Sequence, residues 1–486
     1  MSYLIGTHQS TLHSMNRYSD ISTYKARTTS ENPTIPSPDV FTDLNNAEAD
    51  DFPTAAQCAV HLELLEAFHA LKVRVVGSSD LDRTFGLAPK TKIVYRRKYS
   101  SKLRKYINQS VRVKDPDWEA RRGQKWPRYL DFAAERFVEW AKTIDASMAK
   151  ESSQTISDRA YTSKSPQARL PYVPPLDILM MWHTYLLNPS FWHNYCQTRS
   201  LNYLFRVPFP WKAIHDCIES QGTISRSWTY SLPDKACKYL KDNGIEVNLC
   251  DYLEDLGKPE SPEALPDEAE GVNKPTSPES PSNEASEDSE PVAAVSIESP
   301  EDQSVLLKSL IANVTRQLVF VDKMHAQLWI RSPALAGTLT RAVERYENYL
   351  ELFQLYPGKM LVPTLDIDLV WHTHQLSAKN YRTVTESRCG RFINHNDKLG
   401  KPTLETGMKD TQELFQVHFG QAYSICLCWD CEAIASALEV YDENDTAEMT
   451  DTLTDKVSKK VLRNVQYNRA VEYARRRGDA LLPILL

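Results

Sequence analysis

Three stretches of the chain repeat apolar residues at the spacing of an α-helix. In AERFVEWAKTI, residues 134–144, the side chains of Phe137, Trp140 and Ile144 share one helical face. The segment RAVERYENYLELF, residues 341–353, has the same pattern, and residues 455–477 have a third apolar face. Runs that alternate apolar and polar residues and are rich in β-branched side chains are scarce. The pattern therefore predicts an all-α fold.

The chain contains an internal repeat. Three segments of the first half recur in the same order in the second half: 173–185 in 362–374, 134–140 in 343–349, and 62–69 in 318–325. The offsets are 189, 209 and 256 residues, so the first copy carries insertions of about 20 and about 47 residues. A repeated helical unit is first of all a statement about fold. We predict two related helical lobes that arose by duplication.

Two polar segments flank or separate these lobes. Residues 1–51 predict a disordered tail, and residues 254–302, rich in Pro, Ser and Glu, predict a disordered acidic linker. Lobe 1 is then 52–253, with a basic insertion at about 90–128, and lobe 2 is 303–486. Four Ser-Pro pairs of the linker are candidates for phosphorylation, and the alternative is a passive spacer. They are Ser261, Ser277, Ser280 and Ser299.

Charge is segregated along the chain. The net formal charge of −7 includes −13 in residues 254–302 and +11 in residues 90–128. Aromatic residues interrupt the basic stretch, as in proteins that hold single-stranded nucleic acid by phosphate contacts and stacking. These residues are Tyr95, Tyr99, Tyr106, Trp118 and Trp126. RNA binding is one interpretation, and a solvated basic loop that docks on the acidic linker is the other.

The composition also bears on the cellular compartment. No stretch approaches about 18 consecutive apolar residues, so we expect no transmembrane helix and no membrane partner. The first 20 residues lack the apolar core of a signal peptide. The chain has nine cysteines, an odd number, and their spacing is not that of a secreted disulfide scaffold. We therefore expect the thiols to be reduced. We expect a soluble cytoplasmic protein with an unknown protein partner, and a nuclear location is also compatible.

The repeated segment contains the motif Leu-Asp-x-Asp-x-x-Trp-His-x-His at 365–374. His372 and His374 are two residues apart, so on a helix they point about 200° apart and do not chelate one ion. Asp368 and His372 are four apart and can pair, which would fix the imidazole tautomer. A structural Trp-His pair and a metal or catalytic role both fit. The motif residues are Asp366, Asp368, Trp371, His372 and His374, with Asp177, Trp182 and His183 in lobe 1, where Tyr185 replaces the second histidine.

A second candidate site is a cluster of cysteines. Cys426, Cys428 and Cys431 lie within six residues, and their spacing lets their thiolates reach one ion. A tetrahedral zinc site needs a fourth ligand. The candidates are His395, His418 and Cys389, and we predict His395. A helix that begins near Trp429 would lower the thiol pKa values. A buried cysteine cluster and a redox dithiol are the alternatives to structural zinc.

Several motifs occur together and in order: Pro-x-Leu-Asp with Trp-His-Thr-His, GRFINHND at 390–397, ICLCWDCEA at 425–433, and KWPRYLDFAAERFVEW at 125–140. In this combination the chain resembles the glycine-rich domain-containing protein-like family of plants, fungi and bacteria. Some plant members of that family carry a glycine-rich tail and an RNA-binding segment. The 486 residues here include only 15 glycines, so inferences tied to that tail do not carry over.

Some fungal relatives are labelled 2-oxoglutarate-dependent dioxygenases, so the resemblance also raises a non-haem iron site. Such a site needs two histidines and a carboxylate. His395 and Asp397 supply a local pair, but His418 follows only 23 residues later, and the chain lacks the strands of a jelly roll.

We therefore expect a non-enzymatic interaction or regulatory protein, with zinc as the one cofactor that the residues suggest. A metal-dependent enzyme centred on lobe 2 and an RNA-binding protein are the alternatives, and catalytic residues stay unassigned.

Overall fold

The computed structural model describes residues 34–45, 51–158, 169–220, 228–258, 300–444 and 451–477. Most of these residues are helical, so the predicted all-α fold is confirmed. Within the described ranges, β-structure is limited to two antiparallel sheets of two strands each.

The first half contains the longer list of elements because of its insertions. They are α1 (Ala55–Gly77), α2 (Ser79–Thr84), β1 (Thr91–Ser100), β2 (Lys105–Lys114), α3 (Trp118–Gly123), α4 (Lys125–Asp158), α5 (Leu176–Leu186), α6 (Pro189–Thr198), α7 (Trp211–Cys217), β3 (Ile218–Glu219), β4 (Thr229–Tyr230), α8 (Asp234–Asp242) and α9 (Leu249–Leu256). Short 3-10 helices cover Pro38–Asn45 and Leu204–Arg206.

The second half consists of helices. They are α10 (Pro300–Gln327), α11 (Leu335–Leu355), α12 (Leu365–Gln375), α13 (Ala378–Cys389), α14 (Lys401–Phe419), α15 (Trp429–Asn444) and α16 (Asp451–Arg477), with a 3-10 turn at Trp329–Arg331.

Local signals in the sequence explain several helix ends. Thr54 and Gln57 form a capping box at the start of α1, where each side chain bonds to the backbone of the other residue. α6 and α14 carry proline in their first turn, where its missing N–H costs nothing. Gly390 and Gly420 end α13 and α14 in the left-handed conformation that glycine tolerates best, with φ of 68° and 66°.

Equivalent residues of the two halves form equivalent ion pairs. Arg136 Nε of α4 lies 2.7 Å from Asp177 Oδ2 of α5, and Arg345 Nε of α11 lies 2.7 Å from Asp366 Oδ2 of α12. The two arginines are separated by the repeat offset of 209 residues and the two aspartates by the offset of 189. The duplicated segments therefore occupy corresponding places in their halves.

Aromatic contacts repeat in the same way. The rings of Trp140 and Trp182 have centroids 5.5 Å apart, and those of their counterparts Tyr349 and Trp371 are 5.7 Å apart. The repeated unit is thus a set of four helices, α1 with α4, α5 and α6 in one half, and α10 with α11, α12 and α13 in the other.

The two halves share one hydrophobic core because each packs its first helix on the other half. α1 packs against α10, α11 and α12, and α10 packs against α4 and α5. As a result, every residue of α1 from Cys58 to Phe68 is buried, which is the pattern of a helix covered on all sides. The lobe boundaries at 52–253 and 303–486 stay predictions, but the helices cross between them.

The contact between α1 and α10 is reciprocal. His69 Nδ1 lies 3.4 Å from Asp322 Oδ1, and His325 Nδ1 lies 2.9 Å from Glu66 Oε2. The two imidazoles stack with centroids 3.7 Å apart and an interplanar angle of 13°. Both histidines and both acids are related by the offset of 256 residues, so the halves meet as the subunits of a two-fold symmetric pair do.

Residues 91–114 of the basic insertion form a β-hairpin, and residues 118–123 and 125–128 belong to α3 and α4. The loop in the second interpretation of this insertion is therefore corrected. β1 and β2 pair antiparallel in a register that places Tyr99 opposite Tyr106 and Tyr95 opposite Ser110. The sequence does alternate here, with Ile93, Tyr95, Arg97 and Tyr99 at every second position. The charges between these residues concealed that strand pattern.

Two other expectations change at the edges of the polar segments. Within the predicted tail, Pro38–Asn45 forms a 3-10 helix that packs on α1 and α7 and buries Leu44. Within the predicted linker, residues 254–256 belong to α9 and residues 300–302 to α10. Residues 259–299, with the four candidate phosphorylation serines, lie outside the described residues.

By length and composition alone, α10 is apolar enough to cross a membrane. Its buried residues, among them Leu310, Val314, Leu318 and Val321, belong to the shared core. Its other positions include the ion-paired Arg316 and Asp322. This distribution is that of a core helix with one polar face.

Candidate functional site

The WHTH motif of lobe 2 lies on α12, where it is buried along the entire helix. Asp368 and His372 are one turn apart on the same face, and Asp368 Oδ1 lies 3.4 Å from His372 Nε2. Both residues are 0% exposed. Nδ1 of His372 has no hydrogen-bond partner among the described residues, so the ring directs its polar contacts through Nε2.

His395 reaches the same point from the segment that follows α13. Its Nε2 lies 3.4 Å from His372 Nε2, and its Nδ1 lies 2.9 Å from the carbonyl oxygen of Leu187 in the first half. Because a carbonyl only accepts, Nδ1 of His395 carries the proton and Nε2 presents a lone pair. Burial lowers the pKa values of His372 and His395, so both rings are neutral.

Asp368, His372 and His395 therefore form a buried group whose three ligand atoms lie within 4.8 Å of one another. Two neutral imidazoles and a carboxylate are the donors of many zinc and non-haem iron sites. We call this group the buried triad.

His374 points to a different part of the core. Its Nδ1 lies 2.9 Å from the hydroxyl of Tyr346, and its ring packs edge-on against Tyr381. Burial lowers the pKa of His374 to about 3. The structure thus separates His374 from His372, as their spacing on a helix requires.

The first copy of the motif lies against α1. His183 Nε2 is 2.9 Å from His61 Nε2, and His61 Nδ1 is 2.9 Å from Thr373 Oγ1 of α12. The Thr373 hydroxyl donates a hydrogen bond to the carbonyl oxygen of Leu369, so its oxygen accepts one from Nδ1–H of His61. Nε2 of His61 is then unprotonated and accepts a hydrogen bond from Nε2–H of His183. Burial lowers the pKa of His183 to about 3, so the pair is neutral at pH 7.

The remaining motif residues pack or pair. Asp177 and Asp366 accept from Arg136 and Arg345, and Trp182 and Trp371 fill the cores of their halves. The sequence did carry a signal for these arginines, since both copies contain Glu-Arg followed by an aromatic residue at 135–137 and 344–346. Neither His61 nor Arg331, a buried arginine 1% exposed, was identified from the sequence.

The cysteine cluster also forms, but without the predicted histidine. The thiols of Cys426, Cys428 and Cys431 lie within 4.8 Å of one another, and the first two sulfurs are 3.4 Å apart. His395 is instead part of the buried triad, which corrects the predicted ligand set because both of its ring nitrogens are engaged there. No fourth ligand joins the cysteine group among the described residues.

Two thiols of this cluster have raised pKa values. α15 begins at Trp429 as expected. However, burial and the neighbouring thiols raise the pKa of Cys431 to about 12, and burial also raises that of Cys428. The expected lowering of thiol pKa values is therefore wrong for Cys428 and Cys431, which disfavours a redox dithiol of these two residues.

The iron ligands suggested by sequence spacing are dispersed. Asp397 accepts from Arg316 at 2.9 Å, and His418 is a surface residue beside Glu351. Of His395, Asp397 and His418, only His395 belongs to a group that could bind a metal ion, together with Asp368 and His372.

The comparisons with known proteins agree with the motifs. Residues 266–383 match the family model described as glycine-rich domain-containing protein-like. Glycine-rich domain-containing protein 2 of Arabidopsis thaliana is 26% identical over 282 residues, and protein 1 of the same plant is 27% identical over 274 residues. Each match covers 54% of this chain and 27% of the relative, so the chain spans about a quarter of those proteins. No solved structure matches. The predicted resemblance to this family is confirmed.

Proposed function

With the glycine-rich domain-containing protein-like family as the starting point, we propose that this chain is a non-enzymatic interaction protein whose binding element is the β1–β2 hairpin. The observation that carries the proposal is a contrast in exposure. The repeated motif residues are buried and packed between helices, whereas the hairpin exposes Tyr95, Tyr99 and Tyr106 by 73%, 51% and 60%. Its extensive contacts are those between its own two strands.

The charge of the hairpin favours an acidic partner. Residues 91–114 contain nine basic residues and no acidic residue. A field of one sign speeds the encounter with a partner of opposite charge and makes binding depend on salt. An isolated two-stranded hairpin is only marginally stable. The tyrosine rings are mostly exposed, so they bury little apolar area and contribute little to the stability of the fold.

One face of the hairpin favours single-stranded nucleic acid as the second, more specific candidate. The strand register places the three tyrosines, Ile93 and Arg97 on the same face. Tyr99 and Tyr106 are in edge contact at 5.3 Å, and the guanidinium of Arg97 lies 4.9 Å from the centre of the Tyr106 ring. Exposed aromatic rings beside arginine offer stacking platforms for bases, at about 1–3 kcal/mol per base.

The opposite face provides a matched control, because it carries charge without tyrosine. It contains Lys92, Arg96 and Lys98, together with half-buried valines. Two triple variants of the full chain therefore separate the contribution of aromatic stacking from that of positive charge. Tyr95→Ser/Tyr99→Ser/Tyr106→Ser removes the rings and keeps the charge. Lys92→Gln/Arg96→Gln/Lys98→Gln keeps the rings and removes three of the nine positive charges.

The test is fluorescence anisotropy with a labelled single-stranded RNA and with a labelled poly-glutamate peptide, at several salt concentrations. If the hairpin binds nucleic acid, both variants bind RNA at least about tenfold more weakly. The tyrosine variant loses stacking of about 1–3 kcal/mol per base, and the charge variant loses phosphate contacts. If the partner is an acidic protein segment, the peptide binds and only the charge variant loses affinity. Binding of neither probe by the unmodified chain at low salt would exclude the hairpin as the binding element.

A further inference from the structure

We propose that Asp368, His372 and His395 bind one zinc ion at the junction of the two halves. This site is independent of the hairpin and of the cysteine cluster.

The separations within the buried triad fit metal ligation better than hydrogen bonding. Asp368 Oδ1 and His395 Nε2 each lie 3.4 Å from His372 Nε2. A charge-assisted hydrogen bond to a carboxylate is shorter, at about 2.7–2.9 Å. Two ligands that each lie about 2.0–2.1 Å from a tetrahedral zinc ion are separated by about 3.3–3.4 Å.

The protonation state of the triad suits a cation. The Leu187 carbonyl holds the proton of His395 on Nδ1, so the lone pair of Nε2 faces His372. A backbone carbonyl behind a metal-binding histidine is the usual arrangement that fixes the tautomer and orients the ring. The rings are also held sterically, because Phe320 packs against His372 at 4.4 Å and Trp371 against His395 at 5.2 Å between centroids.

Zinc fits this site better than iron. Octahedral non-haem iron places adjacent ligands about 3.0 Å apart and keeps positions open for substrate and oxygen. Here the separations are longer, and the three ligands are 0%, 0% and 4% exposed, so a substrate does not reach them. The fourth position of a tetrahedral ion would hold one water molecule. The role of the ion is therefore structural.

The ion would join three parts of the molecule. Two ligands come from α12, and the third comes from the segment after α13. That segment is itself bonded to Leu187, at the end of α5 in the first half. Metal binding would thus stabilise both the segment after α13 and the docking of lobe 2 on lobe 1.

Lys323 of α10 is one cation that competes with a bound ion. It is half-buried, and the charge of Asp368 acts on its ammonium. If cationic groups of the protein balance Asp368 without an ion, the triad binds no metal.

The first measurement is the zinc and iron content of the full chain, purified without a histidine tag. It is made after exposure to equimolar zinc followed by removal of free metal. Substitution with Co²⁺ gives a second readout that needs no variant, because tetrahedral cobalt with nitrogen and oxygen ligands absorbs visible light without the thiolate charge-transfer band of a cysteine site. We expect zinc bound to the triad and a cobalt spectrum of the nitrogen and oxygen type.

Variants assign the metal to one group. We expect one equivalent of zinc to be lost in His395→Gln and retained in Cys428→Ser and in His374→Gln, a control for a buried histidine outside the triad. Loss of all zinc in Cys428→Ser with retention in His395→Gln would overturn the proposal. Metal-free wild-type protein, or iron in place of zinc, would also overturn it. Circular dichroism checks the fold of each variant, and the cobalt spectrum of the wild type decides if His395→Gln does not fold.

Discussion

Mild acid should destabilise this protein, and His183 allows that effect to be measured for one group. The folded pKa of His183 is about 3, against 6.5 for an ordinary histidine, because burial penalises the imidazolium. Below pH 6.5 the His183 imidazole therefore binds a proton in the unfolded chain, whereas in the folded chain it stays neutral until the pH approaches 3. Stability from this group is complete above pH 6.5 and is lost as the pH falls towards 3.

The size of the effect between pH 7.5 and 5.5 hardly depends on the folded pKa, provided that it lies well below 5.5. Over that interval one such histidine costs about 1.4 kcal/mol of unfolding free energy. His61 is buried beside His183 and its pKa is also lowered, so the pair together costs about 3 kcal/mol. That is a substantial fraction of the roughly 5–15 kcal/mol by which proteins of this kind are stable.

The assay is urea unfolding at both pH values, in excess chelator so that metal binding does not contribute. His183→Gln is the matched variant, because its amide nitrogen can still donate to His61 Nε2. The loss of stability on acidification should be about 1.4 kcal/mol smaller in this variant than in the wild type. An equal loss in both proteins would refute the conclusion that His183 is neutral in the folded state.

Two further perturbations test the packing. Arg345→Met leaves Asp366 buried without its ion-pair partner and should cost about 3–5 kcal/mol in urea unfolding, whereas Arg345→Lys should cost less; equal losses would show that the charge is unimportant. Gly407→Ala in α14 should lower stability by about 1–3 kcal/mol, since a Cβ would lie 2.5 Å from Met360 Cε and 2.7 Å from Val362 Cγ2. Gly77→Ala at the end of α1 meets nothing within 4 Å, so it should be neutral or stabilising by up to about 1 kcal/mol, and the reverse order of the two midpoints would contradict this account.

The parts of the fold that the sequence predicts are those with a local signal. Helical periodicity and the proline that precedes α5 and α12 identified the repeated helices. The offsets identified the duplication. The spacing of Asp368 and His372 on one helix placed the two side chains on the same face, where their polar atoms lie 3.4 Å apart. Each of these depends on residues only a few positions apart or on a direct comparison of two segments.

The parts that the sequence does not predict depend on packing between distant segments. His395 joins Asp368 and His372 because the chain turns after α13 and docks on Leu187, 208 residues away. The cysteine spacing suggested a local metal site, and His395 was therefore predicted as a ligand together with the cysteines. The structure places it beside Asp368 and His372 instead. Likewise, nothing in either copy of the repeat indicates that α1 packs on the second half.

That crossing of first helices gives the chain the architecture of a symmetric dimer fused in tandem. A single unfused half would expose the side of its first helix that packs on the other half, together with the surface that receives the other half's first helix. Two such halves would satisfy each other, at a cost that depends on their concentration. Fusion into one polypeptide removes that dependence, because the second helix is always present at a high effective concentration. It also frees the copies to diverge, so that one half contains His374 and the triad while the other contains Tyr185 and the basic hairpin.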